Sequence, residues 1–225
     1  MEGLLKYDMG AGVNAFSTCR DAVLPYPVVQ AHQTHGTRVE VITRPGVTRE
    51  ELEGVDALVT AVLGVAIGAR TADCIPVLLH DPVHNVVAAI HSGWRGTVAR
   101  ISACAIDVMR NRFGTDPGDL VAVIGPGIRM DSFQVGDELV AAFQEAGFPM
   151  DRIWEDRGPR QGTGSMAGGH HLDLPEAVRW TLVCCGIPES NISDCGIDTY
   201  LSEDFFSARR EGTACGRIIN SIMLL

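Results

Sequence analysis

Three apolar runs follow one another in the middle of the chain with almost nothing between them: residues 64–70, 75–80 and 86–91. Each has the length of a strand and is too short for an ordinary helix. They are broken by Asp81-Pro82 and Asn85, residues that favour turns. A strand that is apolar along its whole length has to be covered on both faces. These runs therefore predict buried strands at the centre of the fold, with the remaining elements layered around them. The chain has the material for that: 225 residues, 46% of them hydrophobic, which excludes a disordered chain and allows a sizeable core.

The flanking segments read as shorter elements. Residues 13–18, 28–31, 38–43 and 56–60 are strand candidates punctuated by Gly and Pro. Residues 97–113 carry Val98, Ile101, Ala105, Val108 and Met109 at helical spacing, and Gly114 ends the pattern. A strand over 120–124 runs into Gly125-Pro126-Gly127. Helices follow over 137–146, stopped by Gly147, and over 174–185, stopped by Gly186 with Pro188 beyond. The glycine-rich stretch 155–169 reads as a surface loop, and residues 217–223 as a buried closing strand. The order is not a regular βα alternation. It predicts one α+β domain over residues 1–225, built on mixed sheets, rather than a Rossmann fold or a barrel. No G-x-G-x-x-G follows a strand, and there is no P-loop sequence.

A formal net charge of −10 argues against general binding of nucleic acid or anionic membrane, while leaving room for a local basic pocket that holds a small anion. The first ten residues include Glu2, Lys6 and Asp8 and do not read as a secretory leader. No apolar run approaches the roughly 20 residues needed to cross a bilayer. The expectation is a cytoplasmic chain. Seven cysteines, an odd number without a CxxC pair, fit reduced thiols.

Three segments look chemical, and all fall at predicted strand ends: Gln33-Thr34-His35-Gly36, Thr71-Ala72-Asp73-Cys74 and His91-Ser92-Gly93-Trp94-Arg95-Gly96. Two imidazoles and a thiolate, from His35, His91 and Cys74, form a borderline-soft set suited to Zn²⁺. Three protein ligands leave a fourth position for water or substrate, as catalytic sites do. The alternative is a buried core thiol at Cys74 and two turn-capping histidines, and the long spacing alone does not choose between them.

Beyond these, the motifs QTHGTRV (33–39), DALVT (56–60), TADCIP (71–76), VAAIHSGWRG (87–96), IGPGI (124–128), FQVGDE (133–138) and FFSARR (205–210) occur in this order. Together they resemble the YfiH family, long labelled laccase-domain or polyphenol oxidase and described as purine nucleoside phosphorylase. The resemblance implies a layered α/β/β/α fold and zinc held by His35, Cys74 and His91. It implies phosphorolysis of adenosine, inosine and methylthioadenosine, with some adenosine deaminase activity. Small-molecule nucleoside and phosphate are then the partners; the preferred nucleoside and the oligomeric state stay open. The chain departs from the family in reading Ser132 and Gln134 where many members have Cys and Glu, and in lacking a glycine pair around residues 16–20.

Phosphorolysis needs a phosphate holder, and the arginine fork suits phosphate oxygens. Arg95, four residues after a ligand, is the first choice, with Arg70, Arg209 and Arg210 as further candidates. Each could instead be a structural ion pair. Asp73, beside Cys74, reads as a general acid or base, as a partner orienting His35 or His91, or as a turn cap. Trp94 reads as a residue packing the site or stacking on a purine. His80, His84 and the His170-His171 pair read as solvent-exposed. Two other functions compete. One is a Cys-His hydrolase or deamidase with Cys74 as nucleophile and His91 as base, extending to editing of peptidoglycan precursors; the other is a zinc or nucleoside binder without turnover. Copper is the less favoured metal: a laccase needs about ten histidine ligands, against seven histidines and no H-x-H pair here.

Overall fold

The computed structural model describes residues 3–159 and 168–225. Its centre is a six-stranded sheet. The strands are β4 (Val39–Val41), β5 (Ala57–Thr60), β7 (Ile75–Asp81), β8 (Val86–Ser92), β9 (Val121–Ile124) and β13 (Ile192–Asp194), in spatial order β13-β9-β7-β8-β5-β4. The β7–β8 hairpin is the expected central pair, and both strands are buried along all seven residues. The outer pairs β13–β9 and β4–β5 are parallel and the inner ones antiparallel, so the sheet is mixed.

A second sheet has the order β1-β2-β14-β6-β3, from β1 (Leu4–Tyr7), β2 (Val13–Thr18), β3 (Val29–Gln30), β6 (Ile67–Thr71) and β14 (Ile218–Leu224). The first of the three apolar runs, residues 64–70, thus joins this sheet as β6. The expected closing strand becomes β14, hydrogen-bonded between β2 and β6. A small third sheet joins β10 (Gln134–Val135), β12 (His170–Leu172) and β11 (Trp154–Asp156).

Side chains alternate between the faces of a strand, and that period assigns the two cores. Ile75, Val77, Leu79, Val86, Ala88 and Ile90 point toward the helices. Leu58, Leu78, Val87 and Ala89 point the other way, into the space between the two large sheets, where they meet Ala15, Ile67 and Ile222. His91 follows Val87 and Ala89 in phase, so it falls at the margin of the inter-sheet layer. Within that layer a polar seam runs from Tyr7 Oη to Ser17 Oγ, then to the Asn220 side chain, whose amide donates to Ala69 O and to Thr71 Oγ1 (3.0 Å).

The helices are α1 (Trp94–Val98), α2 (Ile101–Phe113), α3 (Asp137–Glu145), α4 (Met150–Ile153), α5 (Leu174–Cys184) and α6 (Ala208–Glu211). Ile101, Ala105, Ile106 and Met109 of α2 and Ala177, Val178 and Leu182 of α5 cover the six-stranded sheet. The helix expected over 97–113 is therefore two. Arg100 breaks it with φ +60°, a left-handed conformation that costs a residue with a Cβ about 1–2 kcal/mol. The break is held by the Arg100 guanidinium, which lies over the rings of Phe148 and Trp180 and donates to Ala146 O.

Two expectations about exposure fail. His80 is buried between the sheets with Nδ1 2.9 Å from Met9 O, because β7 continues through Asp81 and the β1–β2 connection covers it. His171 is buried on β12, its ring nitrogens 2.7 Å from Met130 O and 3.2 Å from Gly168 O. The stretch read as a loop from 155 opens as β11, and residues 160–167 lie outside the described residues. Among the described residues, no helix is long and apolar enough to cross a membrane.

Candidate metal centre

His35 and Cys74 come from two separate turns and His91 from the end of β8, and the three meet at one point. Their ligand atoms all lie within 4.8 Å of one another, and the two imidazole rings meet edge to face with centroids 4.8 Å apart. Among the described residues this is the one group of three or more such side chains placed to hold an ion.

Asp56, at the entry to β5, assembles the group. Its side chain is fully buried and accepts hydrogen bonds from three successive amides, Thr34 (3.2 Å), His35 (2.9 Å) and Gly36 (2.7 Å). That ring of amides holds His35 at φ +64°, a conformation costing a non-glycine residue about 1–3 kcal/mol. The same carboxylate accepts from His91 Nδ1 at 2.8 Å, which leaves Nε2 of His91 for the cavity. One buried acid therefore fixes two of the three metal-capable side chains, the role outer partners play around metal-ligating histidines. The sequence reading attached no role to Asp56. The visible signal was an acid directly before an apolar strand; what makes it functional is the antiparallel β5–β8 pairing, with Ala57 opposite Ile90, which brings residue 56 beside His91.

Gln33 ties the same turn to the next segment. Its side-chain amide donates to Arg70 O and accepts from Arg70 N, both at 2.8 Å, continuing in side-chain form the parallel β3–β6 pairing. The turn after β6 then carries Asp73 and Cys74. Asp73, at φ +84°, directs its carboxylate away from the histidines, accepting from Thr199 Oγ1 (2.7 Å) and from the Arg209 amide in α6 (2.7 Å). It anchors α6 and the 199 loop, and the orienting of His91 falls to Asp56 instead.

The electrostatics of the group favour a thiolate. Burial pushes the Cys74 thiol up, but the charge of His91 and hydrogen bonds from His35 and His91 outweigh it and bring its pKa down to about 6. Burial also opposes the charge of His91, and the Cys74 thiolate and the Asp56 carboxylate prevail, raising it to about 9. The donor set, two imidazole nitrogens and a ready thiolate, fits a borderline-soft ion such as Zn²⁺. Gly93 leaves the room: a Cβ there would lie 2.8 Å from His35 Cδ2 and 3.1 Å from Cys74 Sγ.

The cluster opens into a cavity of about 390 Å³, also lined by Gln33, Arg49, Arg70 and Arg217. Of the four arginines expected to hold phosphate, Arg70 lines it and the others do not. Arg95 is exposed and stacks on its own neighbour Trp94 at 4.2 Å. Arg209 lies beside a separate groove that Trp94 and Phe133 also line. Arg210 is committed to the chain itself, donating to the carbonyls of Thr199, Tyr200, Ser202 and Phe205.

Comparison with known proteins adds independent findings. Residues 13–225 match the family model described as multi-copper polyphenol oxidoreductase laccase. A purine nucleoside phosphorylase of Bacteroides thetaiotaomicron is 42% identical over 208 residues, covering 89% of this chain and 74% of that protein. A protein named adenosine deaminase RL5, from an unknown prokaryotic organism, is 41% identical over 204 residues, covering 87% and 74%. The crystal structure of Bacillus licheniformis hypothetical protein YfiH superposes with a TM-score of 0.87 at 25% identity, covering 100% of this chain and 97% of that one.

Proposed function

This chain belongs to the multi-copper polyphenol oxidoreductase laccase family, and on that premise we propose that it is a zinc-dependent purine nucleoside phosphorylase acting on adenosine, inosine and methylthioadenosine. The observation that carries the reading is a three-ligand metal-capable group at the wall of a basic cavity, in a chain whose relatives are named for purine nucleoside chemistry. In phosphorolysis a phosphate oxygen bonds to C1′ of the ribose as the bond from C1′ to the base nitrogen breaks. The base leaves with the electron pair, and the products are free base and ribose 1-phosphate.

Zinc held by His35, Cys74 and His91 would supply Lewis-acid stabilisation of developing negative charge, with a fourth position open. The chain's own groups do the rest. Asp56 locks the His91 ring and the His35 turn, so the site is rigid before substrate arrives. Arg70 faces the cavity as a phosphate holder. The family's descriptive name points to copper, but seven histidines do not supply the two kinds of copper centre a laccase uses.

A Cys-His hydrolase is the second reading, favoured by the depressed thiol of Cys74 beside the raised imidazole of His91. A chromatographic product assay on zinc-loaded protein separates the two. Inosine and adenosine are each supplied with and without phosphate, beside a His91→Ala control. Phosphate-dependent release of hypoxanthine and adenine, lost in the control, is the expected result. Inosine formed from adenosine without phosphate assigns deamination, and no turnover of either nucleoside overturns the reading.

A further inference from the structure

We infer that Arg49, Arg70 and Arg217 form a preorganised oxyanion site in the cavity beside the His35–Cys74–His91 group, and that its ligand is inorganic phosphate. The inference rests on the phosphorolytic reading only for the identity of the anion.

All three arginines line the same cavity as the metal-capable group. They come from distant parts of the chain: the segment before the first short 3₁₀ turn, the end of β6, and the approach to β14. None of the three forms an ion pair among the described residues; their side chains meet only neutral acceptors. Arg49 donates to Ala31 O, Arg70 to Gln30 Oε1, and Arg217 to Thr213 O and Gly216 O. Elsewhere in the molecule arginines are commonly matched, as Arg129 is to Asp194 and Arg20 to Glu211.

Gathering like charges in one place is unfavourable unless something of opposite sign joins them. Burial and the nearby guanidiniums of Arg49 and Arg217 hold the Arg70 pKa below its ordinary value. Among the described residues no carboxylate lines the cavity to neutralise them. In a chain with ten more acidic than basic residues, three unpaired guanidiniums around one cavity form a local reversal of charge. Planar guanidinium forks match tetrahedral oxyanions, and three forks converging from different segments define a position as well as a charge. About 390 Å³ lies within the ordinary range for small-molecule sites and admits an anion beside a nucleoside.

Equilibrium binding of inorganic phosphate to the zinc-loaded full chain, by isothermal titration without nucleoside, tests this directly. One phosphate is expected per chain, with affinity reduced at least tenfold in Arg70→Gln and in Arg217→Gln and little changed in Arg112→Gln, an exposed helix residue serving as a charge control. Zinc content and melting temperature of each variant report whether it has folded, and Arg217→Lys should restore part of the affinity. Unchanged binding in both cavity variants, or an equal loss in Arg112→Gln, overturns the inference, as does a large loss in Arg95→Gln or Arg209→Gln alone. The two readings fail separately. Phosphate bound by the three arginines with no nucleoside cleavage keeps the anion site and removes the phosphorylase. Phosphorolysis whose KM for phosphate ignores the three arginines does the reverse.

Discussion

An Asp–His pair with a buried carboxylate sits near each end of the β7–β8 hairpin. At the turn, Asp81 accepts from the amides of Val83 (2.9 Å) and His84 (3.0 Å) and pairs with His84 Nδ1 at 2.9 Å. At the open end, Asp56 accepts from three amides and pairs with His91 Nδ1 at 2.8 Å. Both carboxylates are fully buried. The outcome differs because of what the second ring nitrogen meets. The His84 ring is 37% exposed, with Nε2 turned toward Gly114 at the end of α2; the His91 ring is 4% exposed and adjoins Cys74. A carboxylate fixes a ring in either case. Only at the open end does the free nitrogen share a cavity with other metal-capable side chains.

Removing the two acids tests this most severely. Asp56→Ala leaves a buried imidazole and three amides without an acceptor, and should cost about 3–5 kcal/mol, the scale of breaking a buried pair. Asp56→Asn keeps the shape and most of the stability while weakening zinc binding about 10–100-fold. Thermal melts and competitive zinc titration measure both, and equal zinc affinity in Asp56→Asn and wild type would break the comparison.

Two glycines sharpen it. Gly93→Ala, with no backbone strain at φ −71°, should cut zinc affinity at least tenfold by pushing His35 and Cys74 apart. Gly114→Ala, strained at φ +79°, should lose about 1 kcal/mol and leave zinc affinity alone.

The thiol gives a smaller but cleaner difference. With its pKa lowered from 9.0 to about 6, Cys74 is mostly thiolate at neutral pH, and a thiolate is what alkylating reagents attack. In metal-free protein its alkylation rate should be near its plateau at pH 7 and fall as pH drops through about 6. Added zinc should suppress it. A rate still climbing toward pH 9 would mean that His91 does not bear on Cys74. The smallest effect belongs to the turn: Asp81→Asn should lower the melting temperature by a few degrees, corresponding to about 1 kcal/mol, with zinc content unchanged.

The same contrast separates what could be read in the sequence from what could not. Asp81 and His84 are three residues apart, and their turn announces itself. The apolar runs that became β6, β7 and β8, and the closing strand β14, were legible because burial on both faces leaves a local mark. His35, Cys74 and His91 stood out by residue type at strand ends and by their motifs. Asp56 did not, since its partner lies 35 positions away and only strand register joins them. Arg49 and Arg217 were passed over for the same reason, while Arg95 looked better than its exposed position warrants. The Arg100 break was hidden because helical spacing continues through it; what bends the chain is a guanidinium held by two rings from other segments.

β14 has a consequence in time. It lies between β2 and β6, which do not pair with each other, so the second sheet stays in two pieces until the strand arrives. Its Asn220 also supplies the amide bonded to Thr71, at the head of the turn that presents Cys74. Three metal-capable side chains that lie within residues 35–91 are therefore steadied by a strand far along the chain from them, at Ile218–Leu224. Long-range pairing of this kind forms late. A nascent chain halted before β14 would hold His35, Cys74 and His91 without that brace, and acquisition of metal would wait on the docking of the strand rather than precede it.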